Sequence, residues 1–264
     1  MGVNGKNLQK KLSKCKYYNE TDLVTSTGNP LFECLKREAK FACGASICRS
    51  CGYFTPDLTF LGERYELLEL YHMTHINNVA SIIEKGILCR NEINKKALQY
   101  EDISNMEVQE RREDKIIDNI DLHSYVPLFF AKRTPMQYAL KLGGVDWQAP
   151  ICFLCINVEV LLIDGTYFTD GNAASNRTKF YDDLSELDKL PWDILRADYW
   201  IKYEDGKRKR SAEVLVPHKI PFSMVHRVVV YNRKALINII GTVPRDVEIA
   251  IDRRFYFSRI EGRE

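Results

Sequence analysis

The chain has no long hydrophobic run. Its longest unbroken apolar stretch is Ile151 to Ile156, far short of the ~20 residues a helix needs to span a bilayer. No apolar core follows the N-terminal lysines, which argues against a secretory route and makes the cytoplasm the expected compartment. Net charge is also scarce, +2 over 264 residues. A global attraction to polyanions is therefore not expected, and any nucleic-acid site must be a local patch. Neither G-x-G-x-x-G nor G-x-x-x-x-G-K-[ST] occurs, so a Rossmann dinucleotide site and a P-loop are both unsupported. G-x-S-x-G and H-E-x-x-H are missing too, which removes two common hydrolase signatures. There is no internal repeat and no low-complexity tract.

What is present suits one large domain, or one domain with a small appendage. With 45% hydrophobic and 28% charged residues, the chain can form a sizeable core. Eight cysteines without a secretory signal read as thiols or metal ligands rather than disulfides. Met1 to Pro30 is polar and reads as a loosely ordered lead-in. Cys34, Cys43, Cys48 and Cys51 follow, and Cys48-Arg49-Ser50-Cys51-Gly52 is a C-x-x-C knuckle. Four thiolates suit the tetrahedral preference of structural zinc. The competing reading is a set of buried free thiols with a chance C-x-x-C.

Further along, Leu68 to Met73 reads as a strand, with Asn78 capping a short helix that Gly86 ends. His72 and Thr74 have alternate-residue spacing and so share one strand face. Gln99 to Leu122 is a run of mixed charge, read by itself as a solvated helix or a loop. Tyr125 to Tyr138 reads as an aromatic strand and then a helix capped by Thr134 with Pro135 behind it. Ile151 to Ile163 is a central strand or strand pair. Phe168 to Tyr181 is turn-rich and polar after a buried strand, which suits a functional loop. Trp192 and Trp200 read as core residues.

The stretch Lys207 to His218 carries the sharpest signal. Four consecutive cations, Lys207, Arg208, Lys209 and Arg210, precede Ser211-Ala212-Glu213-Val214-Leu215-Val216-Pro217. The apolar part reads as a buried strand. A carboxylate at its start is costly to bury unpaired, so Glu213 is either paired with a cation or kept for chemistry. The alternative is an edge-strand glutamate that reaches water. The cations read equally as a phosphate-tracking patch or as the solvated tip of a hairpin turning at Asp205-Gly206. Strands with irregular helices between them favour α+β over a doubly wound sheet.

Four segments carry a resemblance: L-Y-H-M-T-H-I-N-N-V from Leu70, L-H-S-Y-V-P-L-F-F-A-K-R-T-P-M from Leu122, F-T-D-G-N-A from Phe168 and R-K-R-S-A-E-V-L-V from Arg208. In this order and spacing, covering roughly residues 68–232, they resemble the DarT family, toxins that ADP-ribosylate bases in single-stranded DNA using NAD. The resemblance implies an α+β ADP-ribosyltransferase-like fold of two packed, mostly antiparallel sheets with an NAD cleft. It places that domain at 67–264, after a lead-in and cysteine-rich extension at 1–66. His72 and Thr74 would hold the adenosine ribose or the nicotinamide end, with Asn78, Gly86 and Arg90 on the same side. Tyr125, Phe129 and Phe130 would wall the nicotinamide. Glu213 would be the catalytic glutamate, and Arg112, with Arg111 as the fallback, the functional arginine. Thr169 to Asn176 would be the substrate-recognising loop. Thr169, Asp170, Asn172 and Arg177 would then contact single-stranded DNA together with Lys207, Arg208, Lys209 and Arg210. Tyr167, Tyr181 and Trp192 are candidates to stack on bases. A macrodomain antitoxin would be the protein partner.

The implied chemistry fits these residue types. Breaking the nicotinamide–ribose bond builds positive charge on the sugar, which an anion stabilises. Glu213 would accept a ribose hydroxyl and help remove the proton of the incoming base nitrogen. An arginine would neutralise phosphate by paired N–H bonds. Zinc, where present, would be structural. Two rivals stay open on sequence alone: the same cleft acting on RNA or protein, and a non-catalytic zinc-containing nucleic-acid-binding module. The base, thymine or guanine, is not readable from the loop.

Overall fold

The computed structural model describes residues 15, 17–42, 58–140 and 147–257. The chain divides into two compact units, Met1–Glu66 and Leu67–Glu264.

In the first unit, β1 (Tyr18–Val24), β2 (Pro30–Cys34) and β3 (Ala39–Ala42) form an antiparallel meander. Tyr18 pairs with Cys34, and Leu31 with Ala42. The expectation of a loose lead-in is corrected for Tyr18 to Pro30, while residues 1–14 lie outside the described residues. Gly28 and Asn29 are turn residues: Thr25 N–H bonds Asn29 O, and Gly28 takes a left-handed φ of +78° between them, where glycine is unstrained. Cys34 is a half-buried free thiol. Cys43, Cys48 and Cys51 lie outside the described residues. Among those described, no group of three or more His, Cys, Asp or Glu could hold a metal ion.

The second unit is built on β4 (Glu69–His75), β5 (Ile87–Leu88), β6 (Ile116–Ile117), β7 (Ile120–Asp121), β8 (Tyr125–Phe129), β9 (Ile151–Asn157), β10 (Tyr167–Thr169), β11 (Phe180–Tyr181), β12 (Glu213–Pro217), β13 (Lys219–Ile220), β14 (Val225–Val230) and β15 (Glu248–Ile251). Eight of them form one sheet in the order β11-β10-β12-β8-β4-β9-β14-β15, antiparallel except for β14 beside β15. Where two packed sheets were expected, the structure has one eight-stranded sheet with a weak middle, beside two small two-stranded sheets, β13-β5 and β6-β7. β4 and β8 pair only at Tyr71↔Phe129, and His72 Nδ1 meets Pro127 O at 3.1 Å one step further. That seam divides the sheet into two four-stranded halves, β11-β10-β12-β8 and β4-β9-β14-β15.

Alternation along β4 explains the layering. Tyr71 and Met73 join Phe153, Val229, Tyr231, Phe255 and Tyr256 in one core cluster, while His72 and Thr74 face the other way and line a cavity. β9 is central, with Ile151 through Ile156 buried, as its unbroken apolar sequence requires. β12 is also central, between β10 and β8. That removes the edge-strand reading of Glu213, which is 3% exposed. Trp200 packs with Ile194 and Phe257. Among the described residues no helix is long and apolar enough to cross a membrane.

Candidate active site

A cavity of about 710 Å³ opens at the seam between the half-sheets, lined from β4, β8, the helix Met106–Glu113, the segment 172–177 and the start of β12. Its volume lies within the range of pockets that enclose cofactor-sized molecules, about 300–1,000 Å³. Glu213 stands at its inner wall. Glu213 and Phe129 are cross-strand partners, so the carboxylate lies beside the seam. Arg112 Nη1 donates to Glu213 Oε2 at 2.9 Å, and Ala173 N–H donates to Oε1 at 3.0 Å. Each carboxylate oxygen thus has its own donor, which fixes the plane of the group. Below it, Glu213 N–H donates to Thr169 Oγ1 at 2.9 Å, and that hydroxyl donates to Gly171 O at 2.7 Å.

Arg112 arrives on the helix Met106–Glu113, whose N-terminus is capped by Asn105 Oδ1 accepting from Val108 N–H. It is the buried member of its arginine pair, 6% exposed, while Arg111 stays exposed on the cavity rim. The mixed-charge sequence around them reads as a solvated face, and every other charged position in it is exposed or half-buried.

His72 contributes a neutral imidazole. Burial pushes its pKa down, with the Pro127 carbonyl acting against the shift. A carbonyl partner requires Nδ1 to carry the proton, which leaves Nε2 as an acceptor for a hydroxyl. Thr74 and Asn78 follow on the same side. Asn78 Nδ2 donates to Thr74 Oγ1 at 3.1 Å and to Glu101 O at 2.9 Å, and Asn78 Oδ1 accepts from Glu101 N–H at 2.9 Å. The expected helix cap is therefore corrected: Asn78 ties down the 99–105 segment, and a 3₁₀ turn capped by His75 precedes the helix instead. Arg90 Nη1 donates to Asp102 Oδ2 at 2.7 Å and to Tyr100 Oη at 2.5 Å. Burial alone would raise the Asp102 pKa, but bonds from Ser104, Arg90 and Tyr100 hold it down at about 2. Arg90 is thus a fixed cation at the cavity edge.

Gly86 has φ +80°, and a Cβ there would lie 2.6 Å from Ile220 O. It lines the cavity, yet its glycine is demanded by the close approach of β13. Tyr125 and Phe129 also line it. Phe130 does not. It is buried edge-on against Trp192 at 5.7 Å, because successive residues on a strand point to opposite faces.

The expected DNA contacts divide sharply. Asn172, Arg177, Lys207 and Arg208 line the cavity. Thr169 is fully buried beneath Glu213. Asp170 and Arg208 are an ion pair at 2.8 Å with side chains 18% and 11% exposed. Arg177 is exposed and paired with Asp205. Lys209 is half-buried away from the cavity. Arg210 is buried, and its guanidinium donates to the carbonyls of Ile194, Leu195, Ala197 and Lys132. Burial, with Arg133 nearby, pushes its pKa down to about 10. The four cations therefore form neither a hairpin tip nor a uniform patch. Gly206–Lys209 is a helical turn, and it rotates successive side chains about 100° apart. Tyr181 is stacked on Phe168 at 5.6 Å, and Tyr167 bonds Asp118, so neither ring is a free stacking platform. Sequence reading missed His123, Gln109, Tyr100, Asp102 and Asp205, all of which line the cavity. His123 sits within the quoted L-H-S-Y-V-P segment. Asp205 was read only as a turn residue, and Gln109, Tyr100 and Asp102 carry no local signal.

A family model described as ssDNA thymidine ADP-ribosyltransferase, DarT, matches residues 71–257. A DNA ADP-ribosyl transferase of Thermus sp. (strain 2.9) is 28% identical over 201 residues, 71% of this chain and 95% of that protein. Its structure in complex with ADP-ribosylated ssDNA superposes with a TM-score of 0.65 at 26% identity, covering 73% of this chain and 97% of that one. Its complex with NAD+ gives 0.61 at 26%, covering 73% and 98%. A DNA ADP-ribosyl transferase–DNA ADP-ribosyl glycohydrolase fusion protein of Thermosipho africanus (strain H17ap60334) is 31% identical over 193 residues, 72% of this chain and 49% of that protein.

Proposed function

The chain belongs to the DarT family, and from that premise we propose that it is a toxin that transfers ADP-ribose from NAD to a base in single-stranded DNA, with thymine as the acceptor. The observation that carries this is the buried Glu213–Arg112 pair, 2.9 Å apart, at the wall of a cleft that also holds a neutral His72. NAD supplies the ADP-ribose and loses nicotinamide. His72 Nε2 and the Thr74–Asn78 pair offer hydrogen bonds to ribose hydroxyls, and Arg90 offers a cation to the pyrophosphate. Tyr125 and Phe129 provide an apolar wall that excludes water.

Glu213 has two tasks. As an anion it stabilises positive charge developing on the sugar, and it accepts the proton that the base nitrogen must lose before it is nucleophilic. Arg112 donates to that carboxylate at 2.9 Å and is placed to donate to the acceptor base when it enters. A paired base hides this nitrogen, so the substrate must be single-stranded. Lys207 and Arg177, exposed on the rim, supply phosphate contacts.

We assign residues 67–264 as the transferase domain and residues 1–66 as an appendage. For the appendage we keep the reading that Cys34, Cys43, Cys48 and Cys51 bind structural zinc. Elemental analysis should give one zinc per chain, and a folded, metal-free protein with four titratable thiols would sink that idea. The fused glycohydrolase of the Thermosipho relative supports a macrodomain-type antitoxin that removes the modification, and we place both in the cytoplasm. The test of the activity is mass analysis of short single-stranded oligonucleotides, each enriched in one base, after incubation with NAD. A gain of one ADP-ribose on the thymine-rich strand, lost in Glu213→Ala, is the expected outcome. A gain on the guanine-rich strand alone would correct the base. NAD loss without any DNA gain would move the acceptor to RNA or protein.

A further inference from the structure

Arg208 donates every bond it makes into one loop and the turn beside it. Its Nε donates to Asp205 Oδ2 at 2.5 Å, and its Nη1 donates to Asp170 Oδ1 at 2.8 Å and Thr178 Oγ1 at 3.1 Å. Its carbonyl accepts from Asn172 N–H at 2.9 Å. A Cβ on Gly171 would lie 3.0 Å from both Cγ and Cζ of Arg208, so the side chain packs against backbone that has no room for a substituent. Asp170 Oδ1 also accepts from Lys179 N–H at 2.9 Å, and Thr178 Oγ1 donates to Asn172 O at 2.7 Å. Arg208 thereby closes the 170–179 loop at its neck and at its base.

That loop carries Ala173, whose N–H is the partner of Glu213 Oε1 at 3.0 Å. The opposite oxygen faces Arg112. With both oxygens held, the carboxylate cannot turn about its terminal torsion, and with one released it can. We propose that Arg208 is a positioning residue. By bracing Asp170, Gly171, Asn172 and Thr178 it fixes the Ala173 N–H, and through it sets the orientation of Glu213 for transfer to DNA. The proposal rests on the transferase reading above. It assigns Arg208 a different task from a phosphate ligand, for which a guanidinium held by two carboxylates is poorly suited.

Asp170→Asn separates the two tasks, because it weakens the brace while leaving the Arg208 cation in place. The readouts are kcat for oligonucleotide modification, expressed per NAD-binding site, and the Kd of NAD. Misplacing a catalytic group by about 1 Å costs on the order of 100-fold, so kcat should fall about 10–100-fold in Asp170→Asn. NAD affinity should hold within about 2-fold, the signature of a lost transition-state interaction. Gly171→Ala should give the same loss from the other side of the contact without changing charge. Arg208→Lys should lose kcat likewise, since an ammonium cannot reproduce the fork that spans Asp205, Asp170 and Thr178.

Wild-type kcat per NAD site in both Asp170→Asn and Gly171→Ala would overturn the proposal. So would NAD affinity falling in step with kcat, which would mark general damage to the cleft. Raised KM for DNA in Arg208→Lys with Asp170→Asn unaffected would make Arg208 a phosphate ligand and also overturn it. A wild-type protein that modifies no oligonucleotide would remove the transferase reading itself, a result distinct from an active wild type with unaffected variants.

Discussion

Removing either member of the Arg112–Glu213 pair should destabilise the fold more than the removal of both would suggest. The interacting atoms are 2.9 Å apart, and the side chains are 7% and 3% exposed. Two unit charges about 4 Å apart attract by ~4 kcal/mol at an effective dielectric of about 20. That is a ceiling, because both ions lose hydration. A hydrogen bond to a charged group contributes about 1.5–3 kcal/mol net. Arg112→Ala leaves Glu213 with only the Ala173 N–H, and Glu213→Ala leaves a buried guanidinium facing no carboxylate. Each single variant should cost about 2–4 kcal/mol, somewhat eased by water in the adjoining cavity. The double variant leaves no buried charge, so its cost should fall short of the sum by about 2 kcal/mol. Urea unfolding followed by tryptophan fluorescence is the assay. All three tryptophans, Trp147, Trp192 and Trp200, lie in the unit Leu67–Glu264, so the signal reports that unit alone. A coupling below about 0.5 kcal/mol would refute a buried ion pair and reduce the contact to a surface pair. The same four proteins test the chemistry: the double variant should transfer ADP-ribose no more slowly than Glu213→Ala, since residues acting as a unit are not additive.

Burial holds the imidazoles of His72 and His123 below their ordinary pKa. Each takes a proton less readily in the fold than in the unfolded chain, where it titrates near pH 6.5, so stability is full above about pH 7 and declines as the pH drops below it. Thermal midpoints between about pH 7.5 and 5.5 should show that slope, and His72→Gln should flatten it; an equal slope in the variant would count against the assignment. Gly86→Ala combines φ +80° with a Cβ 2.6 Å from Ile220 O. It should lose about 1–3 kcal/mol of stability and bind NAD more weakly, and calorimetry that finds neither change would refute the packing argument. Lys207→Ala should lower the salt slope of single-strand binding by about 0.7 for the one phosphate that this ammonium neutralises. Arg210→Met should leave that slope unchanged while costing about 3 kcal/mol, because it strips a donor from several buried carbonyls. A lowered slope in Arg210→Met would place that side chain on DNA.

The sequence showed the strands because the apolar runs are strong signals. Ile151–Ile156 and Glu213–Val216 are continuous enough to demand burial on both faces, and both are central in the sheet. Glu213 was legible for the same reason, since an acid inside such a run must have a partner. Its partner was harder to see. Arg112 stands 101 positions away in a segment crowded with charge of both signs, and only the fold singles it out. The continuity of the sheet was not legible at all. It depends on one cross-strand pair, Tyr71↔Phe129, and local sequence does not encode where two half-sheets touch. Asn78 misled for a different reason: asparagine before an apolar helix is a common cap, but here its amide is used by Thr74 and Glu101.

The run Lys207 to Arg210 shows why composition misjudges a charged patch. As sequence, four adjacent cations are one feature with one meaning. In the fold they occupy a helical turn, and the turn sends them to four environments. Lys207 is exposed on the cavity rim, Arg208 is paired with Asp170 and Asp205, Lys209 is half-buried elsewhere, and Arg210 is sealed among carbonyls. Of the two acids that neutralise Arg208, Asp205 is 3 residues away and Asp170 is 38, so a local window shows only part of the counter-charge. A buried guanidinium is tolerated where most of its donors are met: Arg208 finds two carboxylates and Arg210 four carbonyls through its terminal nitrogens, while Lys207 keeps its ammonium in water. Counting this run as four phosphate contacts would therefore overstate the salt dependence of DNA binding several-fold. The measured slope counts the cations that DNA meets, and in this turn Lys207 is the one placed to meet it.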